Sequence, residues 1–402
     1  LQQVIVSTRR AHFPRFGLAL VLFALAAWPS TSVAQRPAGA NEFTVKARQA
    51  IIMDADTGAV LFQHNPDELA PPASMSKLMT LAMAFKAIKG GQLKLEDELL
   101  MSENAWRKGG APSGTSAMFV PVNTRARLDE LLRGVIIQSG NDAAIAIAEA
   151  IAGSEARFAD AMTEEARRLG LKKSTFRNAT GLYDAEHLMS ARELAMLARH
   201  IIRDYPDYYA TFAQREFSYK KHRFFNRNPL IGLVPGADGL KTGYIKEAGY
   251  GIVASAKQDN RRLIVVVNGL SSADERRDEA RRMLEWGFRA IGDYKLFDAN
   301  EVIGHAKVWG GERLSVPLVG QQDVSVVLPK ASANQRLRAE IIYKGPLKAP
   351  VRKGDQVATL RVTSAADAVN EVPLYASEDV APGTIWQRGV STLFLMATQW
   401  LP

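Results

Sequence analysis

Ser74 and Lys77 lie three residues apart in the run Ser74-Met75-Ser76-Lys77, a spacing that brings both onto one face of a helix. A hydroxyl beside an amine is a nucleophile beside a base when the amine is neutral, and no histidine is required. The flanks read as a helix start. Pro71-Pro72-Ala73 halts what precedes, and Leu78, Met79, Leu81, Ala82 and Phe85 follow at apolar helical spacing. Ser74 then falls in the first turn, where free backbone N–H groups and the positive dipole end favour an oxyanion. The bland alternative is an N-terminal cap followed by a surface lysine. The pattern recurs at Ser218-Tyr219-Lys220-Lys221. There Phe217, Phe224 and Phe225 surround it with no helix-start signal, so that copy reads as strand and loop.

Two further motifs change the balance. Ser139-Gly140-Asn141 separates two apolar-periodic segments, one through Leu128, Leu131, Leu132, Val135 and Ile136, the other from Ala143 to Ile151. Ser-x-Asn also occurs at Ser102 and Ser332, so alone it is a weak signal. Lys241-Thr242-Gly243 occurs once, between Asp238-Gly239-Leu240 and Ala248-Gly249-Tyr250, in strand-and-turn surroundings. Ser-x-x-Lys, Ser-x-Asn and Lys-Thr-Gly in this order resemble the signature of penicillin-binding proteins and related β-lactamases. The similarity is wider than the three motifs. Ile52-Met53-Asp54-Ala55-Asp56-Thr57-Gly58 is similar to an opening hairpin, and Pro72 to Thr80 to a nucleophile segment. Thr180-Gly181-Leu182, Ser190-Ala191-Arg192-Glu193, Asn226-Arg227-Asn228 and the stretch Asp238 to Ala256 match in turn. Over roughly residues 42–290 the chain resembles low-molecular-mass penicillin-binding proteins of the D-alanyl-D-alanine carboxypeptidase type.

That resemblance assigns roles. Ser74 would attack the carbonyl between two D-alanines, and Lys77 would take its proton. A neutral Lys77 needs burial and a second cation, which Lys241 would supply. Ser139 would relay a proton to the departing D-alanine. Asn141 would hold Lys77 and bond the substrate backbone. Lys241 and Thr242 of the Lys241-Thr242-Gly243 strand would face the terminal carboxylate, with Arg227 as a guanidinium clamp. The backbone N–H groups of Ser74 and Tyr244 would form the oxyanion hole. Water would release the acyl-enzyme, and penicillins would acylate the same serine. Tyr244-Ile245 stands where many relatives carry His-Thr; the hole needs only the backbone of residue 244. The Gly-, Ser- and Pro-rich loop Trp106 to Ala117 corresponds to one flanking the active site in the family.

Other chemistries lack their residues. The six histidines, at 12, 64, 187, 200, 222 and 305, show no metal-ligand spacing, and no cofactor is expected. A Gly-x-Ser-x-Gly elbow and a P-loop are absent. So is the Glu-x-x-Leu-Asn segment downstream of Ser139 that a class A β-lactamase uses, which argues against rapid β-lactam hydrolysis. There is no cysteine, hence no disulfide.

The 402 residues suffice for two domains. Residues 1–34 read as an export signal, with Arg9, Arg10 and Arg15, an apolar core from Phe16 to Trp28, and a small-residue cleavage site at Ser32-Val33-Ala34. The apolar run is shorter than the ~20 residues of a membrane span. Of the formal net charge of +9, three units belong to this signal. The remaining positive charge suits a place near anionic lipid or wall polymer, or simply a basic exported protein; nothing argues for nucleic acid.

Strands flank Asp56-Thr57-Gly58; helices are expected at 74–89, 127–138, 141–152, 155–169 and 190–203. Strands return at 237–243, 248–257 and 262–270, and a charged helix from Asp274 to Ile291 closes the unit. Strands, then helices, then strands predict an α/β (α+β) domain over residues 42–292, an antiparallel sheet covered by helices and similar to the penicillin-binding-protein/β-lactamase-like transpeptidase domain. Residues 296–382 carry short β-rich runs between Gly, Pro and Asp turns and read as a small all-β sandwich that serves as spacer or support. In residues 383–402, Trp386, Val390, Leu393, Ala397 and Trp400 recur at helical spacing. This is an amphipathic helix for a membrane interface, or one packed on its own domain. The resulting expectation is a periplasmic or outer-surface serine D,D-carboxypeptidase, membrane-bound through its C-terminal helix and acting on peptidoglycan stem peptides. The rivals are a D,D-endopeptidase of the same fold and a catalytically weak wall-binding protein.

Overall fold

The computed structural model describes residues 4–10, 43–330, 337–363, 369–389 and 392. The apolar core and cleavage site of the expected signal peptide lie outside the described residues, as do Val390, Leu393, Ala397 and Trp400. Val4–Arg10, which carries Arg9 and Arg10, is a strand running parallel to Leu337–Tyr343.

Five antiparallel strands form the main sheet, in the order Val60–His64, Gln49–Asp54, Arg261–Leu270, Gly249–Gln258 and Ala237–Ile245. Both faces are covered, so the middles of the inner strands are mostly apolar. Side-chain alternation sends Ile51, Met53, Ile264 and Val266 to one core. Ala50, Ile52, Val265 and Val267 go to the other. The first core is closed by the helices Lys77–Lys89, Asn141–Ala152 and Ala191–Asp204, whose buried residues include Leu78, Phe85, Ile145, Ile147, Leu194 and Leu197. The second is closed by Ala273–Ala290 through Ala280, Met283 and Leu284, with Trp286 stacked on Phe43 at 4.6 Å. Each fully buried aliphatic side chain contributes about 1.5–3 kcal/mol. Helix starts are capped by the serine hydroxyls the sequence offers, as at Ser190, which accepts from Glu193 N–H at 3.2 Å.

The expected helices and strands are present, with local departures. Residues 127–138, expected as one helix, form the α-helix Leu128–Arg133 and a wider π turn, Gly134–Gln138. The charged helix stops at Ala290, and Ile291–Phe297 is a strand paired with Val324–Pro329. The β-rich unit thus begins a few residues earlier than its turn residues suggest. A larger sheet through Ser315–Val319, Leu337–Tyr343, Gln356–Thr363 and Val369–Ala376 shares one apolar core with that pair. Val369 meets Val60 of the main sheet, the one register pair between the two units among the described residues.

Candidate active site

Ser74 sits in the short 3-10 turn Ala73–Ser76 that leads into the Lys77–Lys89 helix. Ala73, just before it, has φ +49, a left-handed conformation that costs a non-glycine residue roughly 1–3 kcal/mol and that clusters at functional sites. Its surroundings enforce it. Ser76 Oγ donates to the Ala73 carbonyl at 3.1 Å, and Gly181 lies so close that a Cβ there would stand 1.9 Å from the same oxygen. Only glycine fits at 181, where φ is +77 as well.

Lys77 is fully buried, and its Nζ is 2.9 Å from Ser74 Oγ and 2.6 Å from the Thr180 carbonyl oxygen. The carbonyl accepts one N–H, which orients the amine toward the serine. The Asn178 side chain builds this turn, accepting from Thr180 N–H, the Thr180 hydroxyl and Gly181 N–H. Burial, then the Arg227 guanidinium, push the Lys77 pKa down to about 7, against the opposing pull of Asp142. The amine is therefore neutral in a large fraction near pH 7. Lys241, the expected second cation, interacts with Lys77, and repulsion between two cations is mutual. Lys241 is itself buried and held well below its ordinary value by that burial and by Lys77, Arg227 and Arg276.

Ser139 and Asn141 come from the turn after the π segment and the head of the Asn141–Ala152 helix. Ser139 takes φ +65, and its buried hydroxyl has no hydrogen-bond partner within the protein. Asn141 donates to Thr115 Oγ1 at 2.8 Å, and its own Oδ1 is buried without a partner. Holding Lys77 thus falls to the Thr180 carbonyl rather than to Asn141 as expected. Two unpaired polar groups in a buried wall are costly unless something completes them, and a bound peptide would do so.

The opposite wall is the Ala237–Ile245 strand. Lys241 and Thr242 are buried, and Gly243 lies against the nucleophile turn: a Cβ there would be 2.9 Å from the Pro72 carbonyl and 3.2 Å from Ala73 Cβ. That approach brings the strand that carries Tyr244 against the turn that carries Ser74. The foot of the strand is held by Asp238, which pairs with Arg262 at 2.7 Å and accepts from Tyr209 Oη at 2.6 Å. Tyr244 is half exposed and stacks on Tyr250 at 4.2 Å. Arg227 donates to Ser116 Oγ at 2.7 Å, and Asn226 and Asn228 fasten the backbone on either side of it. The 106–117 loop accordingly flanks the site through Thr115 and Ser116.

Sequence reasoning missed four contributors: the Thr180 carbonyl, Thr115, Asp142 and Arg276. Arg276 lies against Tyr250, 5.7 Å from the ring centroid, and adds to the cations around Lys241. Among the described residues no group of three or more metal-ligating side chains is placed to hold an ion. A cleft of about 1100 Å³ lies elsewhere, lined by Arg199, Arg203, Arg338 and Arg361, and includes neither Ser74 nor Lys77. What Ser74, Lys77, Ser139 and Lys241 can do together is acyl transfer from a substrate that ends in an anion.

Comparison with known proteins identifies the family. A family model for D-alanyl-D-alanine carboxypeptidases matches residues 33–272, and one for the C-terminal domain of penicillin-binding protein 5 matches residues 292–382. D-alanyl-D-alanine carboxypeptidase DacF of Bacillus subtilis is 34% identical over 373 residues, covering 90% of this chain and 92% of its own. The structure of penicillin binding protein 5 from Haemophilus influenzae superposes with a TM-score of 0.71 at 33% identity, covering 85% of this chain and 100% of that one. Penicillin-binding protein D2 from Listeria monocytogenes, in its ampicillin-bound form, superposes with a TM-score of 0.54 at 26% identity, covering 62% of this chain and 100% of that one.

Proposed function

Because the chain belongs to the D-alanyl-D-alanine carboxypeptidase family, we propose that Ser74 is the acylated nucleophile and Lys77 its base. The protein is a serine-type D-Ala-D-Ala carboxypeptidase. The observation that carries the residue assignment is the 2.9 Å contact of the buried Lys77 Nζ with Ser74 Oγ. In the first step the Ser74 proton passes to Lys77, and Oγ bonds to the carbonyl carbon between the two D-alanines. The oxyanion is met by the N–H groups of Ser74 and Tyr244. The C–N bond then breaks as Lys77 returns the proton it took from Ser74 to the leaving amine, with Ser139 as the relay, so that Lys77 is neutral and Ser139 is a hydroxyl again at the acyl-enzyme. Water, deprotonated by Lys77, cleaves the ester and restores Ser74. Lys241, Thr242 and Arg227 receive the terminal carboxylate, which neutralises a cluster that burial alone makes unfavourable.

A β-lactam stops at the ester stage, consistent with the ampicillin-bound relative. Product analysis separates the carboxypeptidase from an endopeptidase: a defined pentapeptide should lose one D-alanine, and a cross-linked dimer should stay intact. Cleavage of the dimer in preference to the pentapeptide would overturn this reading.

The organisation proposed is a signal at 1–34, a catalytic domain at 42–292, a β-sandwich at 296–382 and an anchor at 383–402. Among the described residues no helix is long and apolar enough to cross a membrane. An interfacial anchor is supported by Ile385 and Trp386, which are 87% and 86% exposed at the start of the tail. Deleting 383–402 is expected to move the protein from the membrane to the soluble fraction; retention on the membrane would contradict the anchor. The exposed start of the tail and the cell-wall substrate of the family support a position on the outer face of the cytoplasmic membrane.

A further inference from the structure

Asp142 follows Asn141 and is fully buried, with no arginine or lysine bonded to it. Its Oδ1 accepts from Met118 N–H at 2.8 Å and from its neighbour Ala143 N–H at 2.9 Å, and its Oδ2 accepts from Val120 N–H at 3.3 Å. Every one of these partners is a donor. A carboxylate satisfies them all, whereas a protonated acid would aim an O–H at an N–H.

These bonds bracket Phe119. Its φ is +62, a left-handed conformation unfavourable for a bulky side chain, and its ring, 40% exposed, stacks on His222 at 5.1 Å. The same loop carries two site contacts. Thr115 Oγ1 accepts from Asn141 Nδ2, and Ser116 Oγ accepts from Arg227 Nη1. The Ser116 carbonyl also accepts from Asn141 N–H at 2.7 Å. Gly140 completes the joint, since a Cβ there would be 3.0 Å from Asp142 Oδ1 and 3.2 Å from Met118 N.

We propose that Asp142 is a positioning residue: its carboxylate fastens the 115–120 loop to the head of the Asn141–Ala152 helix and, through Thr115 and Ser116, sets the side chains of Asn141 and Arg227. This rests on the reading of Ser74 and Lys77 as nucleophile and base. Asp142 is also the negative charge set against the cations of the site. The groups that act electrostatically with Lys77 are Arg227 and Asp142, and Lys241 and His187 feel Lys77 in turn. Asp142 favours the Lys77 ammonium, so its removal lets the amine stay neutral to lower pH.

The test is the rate of acylation of the full chain by a fluorescent penicillin, followed from pH 5 to 10 for wild type and Asp142→Asn. The expected result is a plateau lowered about 10- to 100-fold by lost positioning. The acid limb should move to lower pH by about one unit. A carboxylate that merely supports the fold predicts the opposite shift, because a loosened site hydrates Lys77 and raises its pKa. An upward shift, or an unchanged plateau, overturns the assignment. If Asp142→Asn does not fold, Thr115→Val cuts the link to Asn141 alone. A lowered plateau with an unmoved acid limb then supports the assignment, and an unchanged plateau overturns it. Wild-type enzyme that takes up no penicillin overturns the reading of Ser74 and Lys77, and the role of Asp142 with it.

Discussion

Ser74→Ala is expected to lower D-alanine release by about four orders of magnitude or more. Among the described residues Lys77 Nζ donates to one hydroxyl, that of Ser74. Ser139, a second hydroxyl of the site, has no bond to Lys77 and sits in a left-handed turn of its own. The side chain of Ser74 is only partly buried and caps no helix, so its truncation leaves the fold in place. Unchanged thermal unfolding beside lost turnover is the result to look for; retained turnover would remove Ser74 from the chemistry.

Lys77→Met is expected to slow acylation by about a hundred- to ten-thousand-fold, the usual range for loss of a general base. Methionine fills the volume and withdraws a buried amine, so stability should hold or rise. The pH dependence follows from the pKa of about 7. Above that value Lys77 is neutral and accepts the Ser74 proton. Below it the ammonium cannot, and the wild-type rate should fall about ten-fold per pH unit. Lys77→Arg, charged throughout this range, should show a low rate and no such limb. Stopped-flow acylation by a chromogenic β-lactam between pH 5 and 9 measures all three proteins.

Much of this site is legible in the sequence because its working groups are side chains of distinctive chemistry at set spacings. Ser74, Lys77, Ser139, Asn141 and Lys241 announce themselves in that way, and the helix and strand periods around them are strong. What stays hidden is carried by backbone or by shape. The Thr180 carbonyl belongs to no residue type; its only trace is Asn178 two residues before it and Gly181 after it, an Asx-turn pattern. The left-handed φ of Ala73 and Phe119 violates local propensity and is imposed by tertiary contacts, so no local rule yields it. Asp142 reads as an ordinary first-turn acid complementing a helix dipole, yet its oxygens serve a loop more than twenty residues earlier. The π turn at Gly134–Gln138 shares the apolar spacing of an α-helix, so its i→i+5 bonding leaves no mark in the sequence pattern.

Attack by a serine hydroxyl that a neutral lysine deprotonates leaves a covalent trace on one residue. Peptide mapping by mass spectrometry after incubation with penicillin should find the adduct on the peptide containing Ser74 in wild type. In Ser74→Ala no peptide should be modified. An adduct on a different residue, or a modified peptide in the alanine variant, would contradict the mechanism at its root.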